Sequence, residues 1–128
     1  MNLTAPHRLS TTMKTFARVL LASFALVLAP ACAAPTVTGE AAHELVAKKG
    51  ALLLDVRTPG EFGGGHLDGA TNIPVQELEA KLSMLTAKKD QDIVVYCRSG
   101  HRSNQAAEIL KKAGFTRVHD LGSISNWK

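Results

Sequence analysis

The sequence predicts an α/β domain in which a central, mostly parallel sheet is covered by helices on both faces. Two continuous apolar runs, residues 51–56 (ALLLDV) and 92–97 (DIVVYC), suit strands that are buried on both faces. Segments with the apolar spacing of helices lie between and after these runs, and such alternation is typical of a parallel sheet. The chain has 128 residues, which is enough for one such domain.

Residues 1–33 carry the features of an export signal. Lys14 and Arg18 stand before an apolar stretch, and the small residues of the segment APACAAP follow it. A positive start, an apolar stretch of about ten residues and an A-x-A site are typical of a secretory signal peptide. We therefore expect a signal peptide in 1–33, with Met13 as an alternative start, a folded domain in 34–128, and a periplasmic or secreted bacterial protein.

Cys32 leaves a second interpretation of this segment open. It would bear a lipid if the chain were a bacterial lipoprotein, although Ala29 and Pro30 match the usual preceding residues poorly. The apolar run is shorter than the roughly 20 residues of a membrane span, which disfavours an uncleaved anchor. Membrane attachment is thus expected only through a lipid on Cys32, and the small residues fit cleavage after Ala31 as well as after Ala33.

The charge distribution argues against nucleic acid as a partner. The formal net charge is +4, but three of the 15 basic residues stand at or before the apolar signal segment, where no acid occurs. The remaining basic residues are nearly balanced by the 11 acidic residues, so the rest of the chain is close to neutral. Nucleic-acid binding, in contrast, needs a basic face on the folded domain. His7, His43 and His119 show no spacing typical of a metal site, so no metal is expected either.

The first half of the domain contains one predicted helix and two predicted strands. Residues 40–49 have apolar residues at helical spacing and stop at Gly50, so they predict a helix. Residues 51–56 follow as the first buried strand. Glycines then exclude a long helix, although 59–62 suit a single turn, and 71–74 predict a short strand that ends at a proline.

The second half repeats the alternation. Residues 75–87 have apolar residues three and four apart, which predicts one or two short helices. Residues 92–97 form the second buried strand. Residues 103–113 predict the clearest helix, since Gly114 suits the position just after its end, and 117–121 predict a last strand.

Cys97 ends the second apolar run, and polar residues follow it at once. Ligands of open α/β sheets bind outside the carboxyl ends of the strands, which is where this cysteine is expected. The amide groups of the following loop can point inward, with Gly100 permitting a positive φ, and Ser103 or a neighbour would cap the next helix. Because the N-terminus of that helix adds a positive dipole end, the loop predicts an anion site. Its residues are Arg98, Ser99, Gly100, His101 and Arg102.

A thiol at the centre of such a site should lose its proton easily. The thiol of a free cysteine has a pKa of about 8.5, which helix N-termini and neighbouring cations lower. We therefore expect Cys97 to be largely thiolate near neutral pH and to act as a nucleophile. An inert buried thiol is the alternative, and the polar residues that follow Cys97 disfavour it.

Three blocks of the sequence resemble the single-domain rhodanese family. They are CRSGHRS at 97–103, LLLDVRTPGEFGGGHLDGATNIP at 52–74 and VHDLGSISNW at 118–127. The resemblance spans about residues 37–127, with the blocks in the family's order. It implies a rhodanese-like three-layer α/β fold whose central, mostly parallel sheet has five strands, with helices on both faces.

The resemblance implies sulfurtransferase chemistry without a cofactor. Family members take a sulfane sulfur from thiosulfate or a similar small anionic donor, hold it as a cysteine persulfide, and pass it to cyanide, a thiol or a partner protein. Cys97 matches the persulfide-forming cysteine. The backbone from Arg98 to Arg102 would cradle the sulfur, and the two arginines would add positive charge. A carrier that delivers sulfur only to a protein partner is the alternative, and we expect a monomer.

Loop length separates this chemistry from that of related phosphatases. Four residues stand between Cys97 and Arg102. The phosphatases have one more residue before their phosphate-binding arginine, and the position after Arg102 is Ser103 in this chain. The shorter loop lacks that bidentate arginine, so phosphatase activity is disfavoured.

Four residues outside the loop are expected to support it. Asp55, Arg57 and Glu61 would form an ion-paired corner that braces the sheet edge rather than act in catalysis. His66 is expected to be a hydrogen-bonded structural residue rather than a base. His101, within the loop, suits donor binding and a solvated side chain equally.

The resemblance has two departures near the end of the chain. Ser123 stands where the family often has a second glycine, and Lys128 ends the sequence where relatives often continue. If the end is truncated, the final helix is expected to be frayed. Neither departure falls within the loop.

Overall fold

The computed structural model of the protein describes residues 35–128, so the predicted signal peptide in 1–33 lies outside it. Single 3₁₀ turns cover Leu82–Met84 and Ile124–Asn126. The other elements, in chain order, are α1 (Gly39–Lys49), β1 (Leu52–Asp55), α2 (Pro59–Gly63), β2 (Thr71–Asn72), α3 (Val75–Leu78), β3 (Ile93–Cys97), α4 (His101–Lys112) and β4 (Val118–Ser123).

The strands form one parallel sheet in the order β2-β1-β3-β4. The α/β class and the parallel sheet are therefore confirmed. The expected five strands are wrong for the described residues, since 35–128 contribute four. The chain beside β4 comes close to pairing, because Thr36 and Val37 both donate to the carbonyl oxygen of Asp120, at 2.8 and 3.3 Å. It then turns away, since Thr38 caps α1 directly afterwards.

Side chains of the central strands alternate between two hydrophobic clusters, one on each face of the sheet. Helix α1 covers one face, where Leu45 joins the same cluster as Val94 and Tyr96. Helices α3 and α4 cover the other face, where Leu110 joins Val95 and the other members of the second cluster. Burial on both faces explains why β1 and β3 are apolar along most of their length. No helix within residues 35–128 is long and apolar enough to cross a membrane.

The start of α4 differs from the expected one. The helix begins at His101, two residues earlier than the sequence indicated, and Gly100 occupies the N-cap position with φ +103°. Ser103 therefore does not cap the helix from outside. It is buried in the first turn, and its hydroxyl donates to the Gly100 carbonyl oxygen at 3.0 Å. The early start brings the helix terminus within four residues of Cys97, closer than the sequence pattern implied.

Candidate active site

Cys97 is the last residue of β3 and lies in the cluster between the sheet and α4. It has no exposed surface, and the amide of Gly100 donates to its Sγ at 2.9 Å. On its other side Cys97 pairs in register with Ser123 of β4. The sulfur is therefore held at the carboxyl edge of the sheet, facing a loop amide at the N-terminus of a twelve-residue helix.

The turn from Cys97 to α4 depends on Gly100. Its φ of +103° is one that side chains rarely adopt, and a Cβ there would lie 3.7 Å from the Cα of Gly122. This conformation turns the Gly100 amide back toward the sulfur. Arg98 and Ser99 are exposed on the outside of the turn, and His101 is exposed as the first residue of α4.

Arg102 forms a bidentate ion pair with Glu61 of helix α2. Its Nη1 and Nη2 lie 2.7 and 2.9 Å from the two carboxylate oxygens. The backbone amide of Thr58 donates to the same carboxylate at 3.0 Å as part of a capping box. The hydrogen bonds from Arg102 and then from Thr58 hold the pKa of Glu61 far below its usual range, and Glu61 in turn raises the pKa of Arg102.

The expected corner of Asp55, Arg57 and Glu61 is divided in two. Asp55 and Arg57 form a buried ion pair of 2.7 Å, and Arg57 also donates to the Gly65 carbonyl oxygen at 2.7 Å. Hydrogen bonding to Asp55 raises the pKa of Arg57. Tyr96 adjoins this pair, since the Arg57 Cζ lies 5.7 Å from the centroid of its ring, and the Tyr96 hydroxyl accepts from the amide of Leu67 at 3.1 Å. Glu61 instead reaches the loop, so one pair braces the glycine-rich segment and the other anchors Arg102.

His66 lies on the surface beside α2. Its ring stacks on Phe62 at a centroid distance of 3.7 Å, and its Nδ1 lies 2.9 Å from the Phe62 carbonyl oxygen. Because a carbonyl oxygen only accepts, Nδ1 carries a proton in this contact. His66 is thus hydrogen-bonded within its own segment.

Two residues near the loop were not assigned a place there by sequence reasoning. The hydroxyl of Ser123 donates to the carbonyl oxygen of Arg98 at 2.7 Å. The buried carboxylate of Asp120 accepts from the Gly122 amide at 2.8 Å, and burial raises its pKa. The only signal in the sequence was the departure at Ser123 from the family pattern, since a contact across 25 residues leaves no local pattern.

These residues can together stabilise negative charge at a sulfur atom. The thiol, the inward amide and the helix terminus meet at one point. Arg98 follows Cys97 directly in the chain and is exposed, and no carboxylate of residues 35–128 lies within 4.0 Å of its guanidinium. Within the same residues no three His, Cys, Asp or Glu side chains form a metal-binding group, and the absence of a metal stays a prediction. The fold and site are those of a protein class that can use a cysteine thiolate as a nucleophile.

Comparison with known proteins gives the family. The model of the rhodanese-like domain matches residues 38–128, and the chain belongs to this family. The thiosulfate sulfurtransferase PspE of Escherichia coli is 36% identical over 73 residues, which cover 57% of this chain and 70% of that protein. The human thiosulfate:glutathione sulfurtransferase is 34% identical over 107 residues, which cover 73% of this chain and 93% of that protein.

Solved structures agree with the sequence relatives. The human single-domain sulfurtransferase TSTD1 has a TM-score of 0.67 at 32% identity, over 74% of this chain and 96% of that one. A rhodanese with anions from E. coli has a TM-score of 0.56 at 34% identity, over 59% of this chain and 89% of that one. A Bacillus subtilis relative, YqhL, is 40% identical, and the match spans 60% of its length. The predicted class, a rhodanese-type sulfurtransferase, is confirmed, while the donor and acceptor are not identified by these comparisons.

Proposed function

We propose that the protein takes the outer sulfur of thiosulfate onto Cys97. The observation that carries this proposal is the Gly100 amide held 2.9 Å from the Cys97 sulfur at the N-terminus of α4. The thiolate attacks the outer sulfur of thiosulfate and forms a new S–S bond. The old S–S bond breaks, and sulfite leaves with its electron pair. The amide and the helix dipole stabilise the negative charge on both sulfur species.

Arg98 is the cation proposed to receive the donor. Arg102 has its guanidinium bound by both oxygens of Glu61, so its charge is largely compensated within the protein. Arg98 is exposed and adjoins Cys97, and it has no such partner in residues 35–128. Sulfite, the leaving anion, would be stabilised by the same side chain.

A small thiol or cyanide is the proposed acceptor. Its anion attacks the outer sulfur of the persulfide, and the Cys97 thiolate leaves and is regenerated. The names of PspE and of the human thiosulfate:glutathione sulfurtransferase support thiosulfate as donor, and the second name supports a thiol as acceptor. Because the thiolate is both nucleophile and leaving group, the cycle needs no cofactor.

Mass spectrometry with thiosulfate tests the proposal directly. The wild type should gain the mass of one sulfur atom on Cys97, release sulfite, and form thiocyanate when cyanide is added. Cys97→Ser should gain no sulfur and show no turnover. Cys32→Ser is the matched control, since it removes the other cysteine of the chain and should keep wild-type rates. Full turnover by Cys97→Ser would disprove the assignment, and a stable persulfide without turnover would favour the carrier.

We also propose that the protein is exported from a bacterial cell. The pattern of residues 1–33 supports this: positive residues, an apolar stretch and small residues follow in the order of a signal peptide. Intact mass of the exported protein tests it. Loss of the first 31 or 33 residues is expected, a lipid mass on Cys32 would indicate anchoring, and an unprocessed chain in the cytoplasm would contradict export.

A further inference from the structure

The end of β4 contacts the active loop at two points. The Cα of Gly122 lies beneath Gly100, and the side chain of Ser123 reaches the carbonyl oxygen of Arg98. Regular pairing between β3 and β4 stops at Cys97 and Ser123. The hydroxyl of Ser123 therefore adds one more link between the strands, beyond the point where the backbone ladder ends.

The direction of the hydrogen bonds around Ser123 follows from its single proton. The Arg98 carbonyl oxygen, 2.7 Å away, only accepts, so the Ser123 hydroxyl donates to it. The Ser123 oxygen in turn accepts from the backbone amide of Ser125 at 3.2 Å. The hydroxyl of Ser125, 2.8 Å from the same oxygen, must then also donate to it. The result is a directed chain that runs from Ser125 through Ser123 to the loop.

This chain of hydrogen bonds fixes one peptide plane of the loop. The C=O and N–H of a trans peptide point to opposite sides, so holding the Arg98 carbonyl toward β4 turns the Ser99 amide away from β4. An unrestrained turn would let this plane rotate, because Arg98 and Ser99 are both exposed. Rotation of this plane would also displace the next amide along the turn, that of Gly100, which donates to the Cys97 sulfur at 2.9 Å. A donor fixed in advance stabilises a developing anion more than one that must reorient.

We propose that Ser123 is a positioning residue for sulfur transfer, which acts by fixing the peptide between Arg98 and Ser99. The proposal rests on the proposed function for its kinetic consequence, but not for its structural one. Ser123 does not touch the thiol, so its removal slows the reaction without abolishing it.

The test compares Ser123→Ala with Ser123→Thr, which keeps the hydroxyl. Ser83→Ala is the matched control, since Ser83 is exposed in the turn Leu82–Met84, outside the loop. Single-turnover persulfide formation from thiosulfate should be about fivefold slower in Ser123→Ala, the equivalent of about 1 kcal/mol for one hydrogen bond. Ser123→Thr should be within about twofold of the wild type, by the same reasoning.

Hydrogen exchange gives a second readout that needs no substrate. The Gly100 amide, which is hydrogen-bonded to the Cys97 sulfur, should exchange about fivefold faster in Ser123→Ala, while amides in the second half of α4, such as Leu110, keep their protection. A general loss of protection that includes Leu110 would show that Ser123 only supports the fold, and would overturn the proposal. Gly100 exchange and persulfide rates equal to those of Ser83→Ala would overturn it as well.

The role of Ser123 can still be tested if Ser123→Ala does not fold or if the wild type takes no sulfur from thiosulfate. If Ser123→Ala does not fold, Ser125→Ala replaces it, because Ser125 is exposed and its loss removes one donor to the Ser123 oxygen. A smaller decrease in the rate of persulfide formation is then expected. The absence of any decrease would contradict the directed chain of hydrogen bonds. If the wild type takes no sulfur from thiosulfate, the proposed donor is wrong, but exchange of the Gly100 amide still decides the role of Ser123.

Discussion

Arg98 and Arg102 carry the same charge, but the residues around them give that charge different uses. Glu61 binds both terminal nitrogens of Arg102, so this arginine joins helix α2 to helix α4. For Arg98 the fold instead holds the backbone oxygen, through Ser123, and leaves the side chain exposed. Of the two arginines, Arg98 is therefore the one whose guanidinium is not bound by a carboxylate within residues 35–128.

Replacing Glu61 by Gln tests the pair with Arg102 through its pH dependence. The pKa of Glu61 in the folded protein lies far below its ordinary value of 4.5. The carboxylate therefore stabilises the fold above about pH 4.5, and this contribution is lost as the pH falls toward the folded pKa. Glu61→Gln should lower the free energy of unfolding by about 1 kcal/mol at neutral pH, since the pair is partly exposed.

Denaturant unfolding at a series of pH values measures this effect. The difference between wild type and Glu61→Gln should shrink as the pH falls below about 4.5. Glu44→Gln is the control, because Glu44 forms a more exposed pair with Lys48 on helix α1. A difference that stays constant down to low pH would show that the Glu61 carboxylate charge is not what stabilises the fold.

The element that matters most for chemistry is the turn between β3 and α4. Its backbone brings a donor to the Cys97 sulfur, and this depends on the unusual φ of Gly100. Replacing Gly100 by Ala would cost about 1–2 kcal/mol of stability, because a side chain strains this conformation. Relief of the strain would also move the amide away from the sulfur, so persulfide formation should fall at least tenfold, the equivalent of about 1.4 kcal/mol in the transition state.

Gly114→Ala separates these two effects of a lost glycine. Gly114 has a similar φ of +96° after the end of α4, far along the chain from the loop. Both variants should lose comparable stability in thermal unfolding. Only Gly100→Ala should form the persulfide more slowly, as measured by single-turnover mass spectrometry. Equal rates in the two variants would show that the Gly100 amide does not assist the thiol.

The sequence predicts which structures form this turn, but not where the helix begins or which distant residues contact the loop. The apolar run that ends at Cys97 and the glycine after it predict the strand, the turn and the anion site. The helix start at His101 is missed, because the conformation of Gly100 lets the helix begin without a side-chain cap. The partners Glu61 and Ser123 are missed as contacts of the loop, since they come from elements 41 and 25 residues away.

At the scale of the whole molecule, the two ends of the parallel sheet have different roles. The carboxyl end holds Cys97, where strand ends and a helix N-terminus converge. The amino end of β3 and β4 holds a second polar group, in which the buried Asp92 accepts from Arg117 at 3.0 Å and contacts His119 at 2.7 Å. Parallel topology places these two groups about one strand length apart, so stability and chemistry can be tested separately.

Asp92→Asn is expected to weaken the fold and leave sulfur transfer unchanged. Burial raises the pKa of Asp92, but the hydrogen bonds from His119 and Arg117 outweigh it and leave the pKa below its ordinary value of 3.8. The carboxylate therefore contributes stability above about pH 3.8, which is lost as the pH falls. At neutral pH the loss should be about 1–2 kcal/mol, because Arg117 is half exposed and its charge is screened.

The comparison with Asp90→Asn decides whether this second group is purely structural. Asp90 is exposed two residues before Asp92, so the same chemical change there should leave stability within about 0.5 kcal/mol of the wild type. Chemical denaturation gives the stabilities, and persulfide formation at a temperature where all three proteins are folded gives the rates. If Asp92→Asn slowed sulfur uptake under those conditions, the amino end of the sheet would be coupled to the loop, and the division of roles would fail.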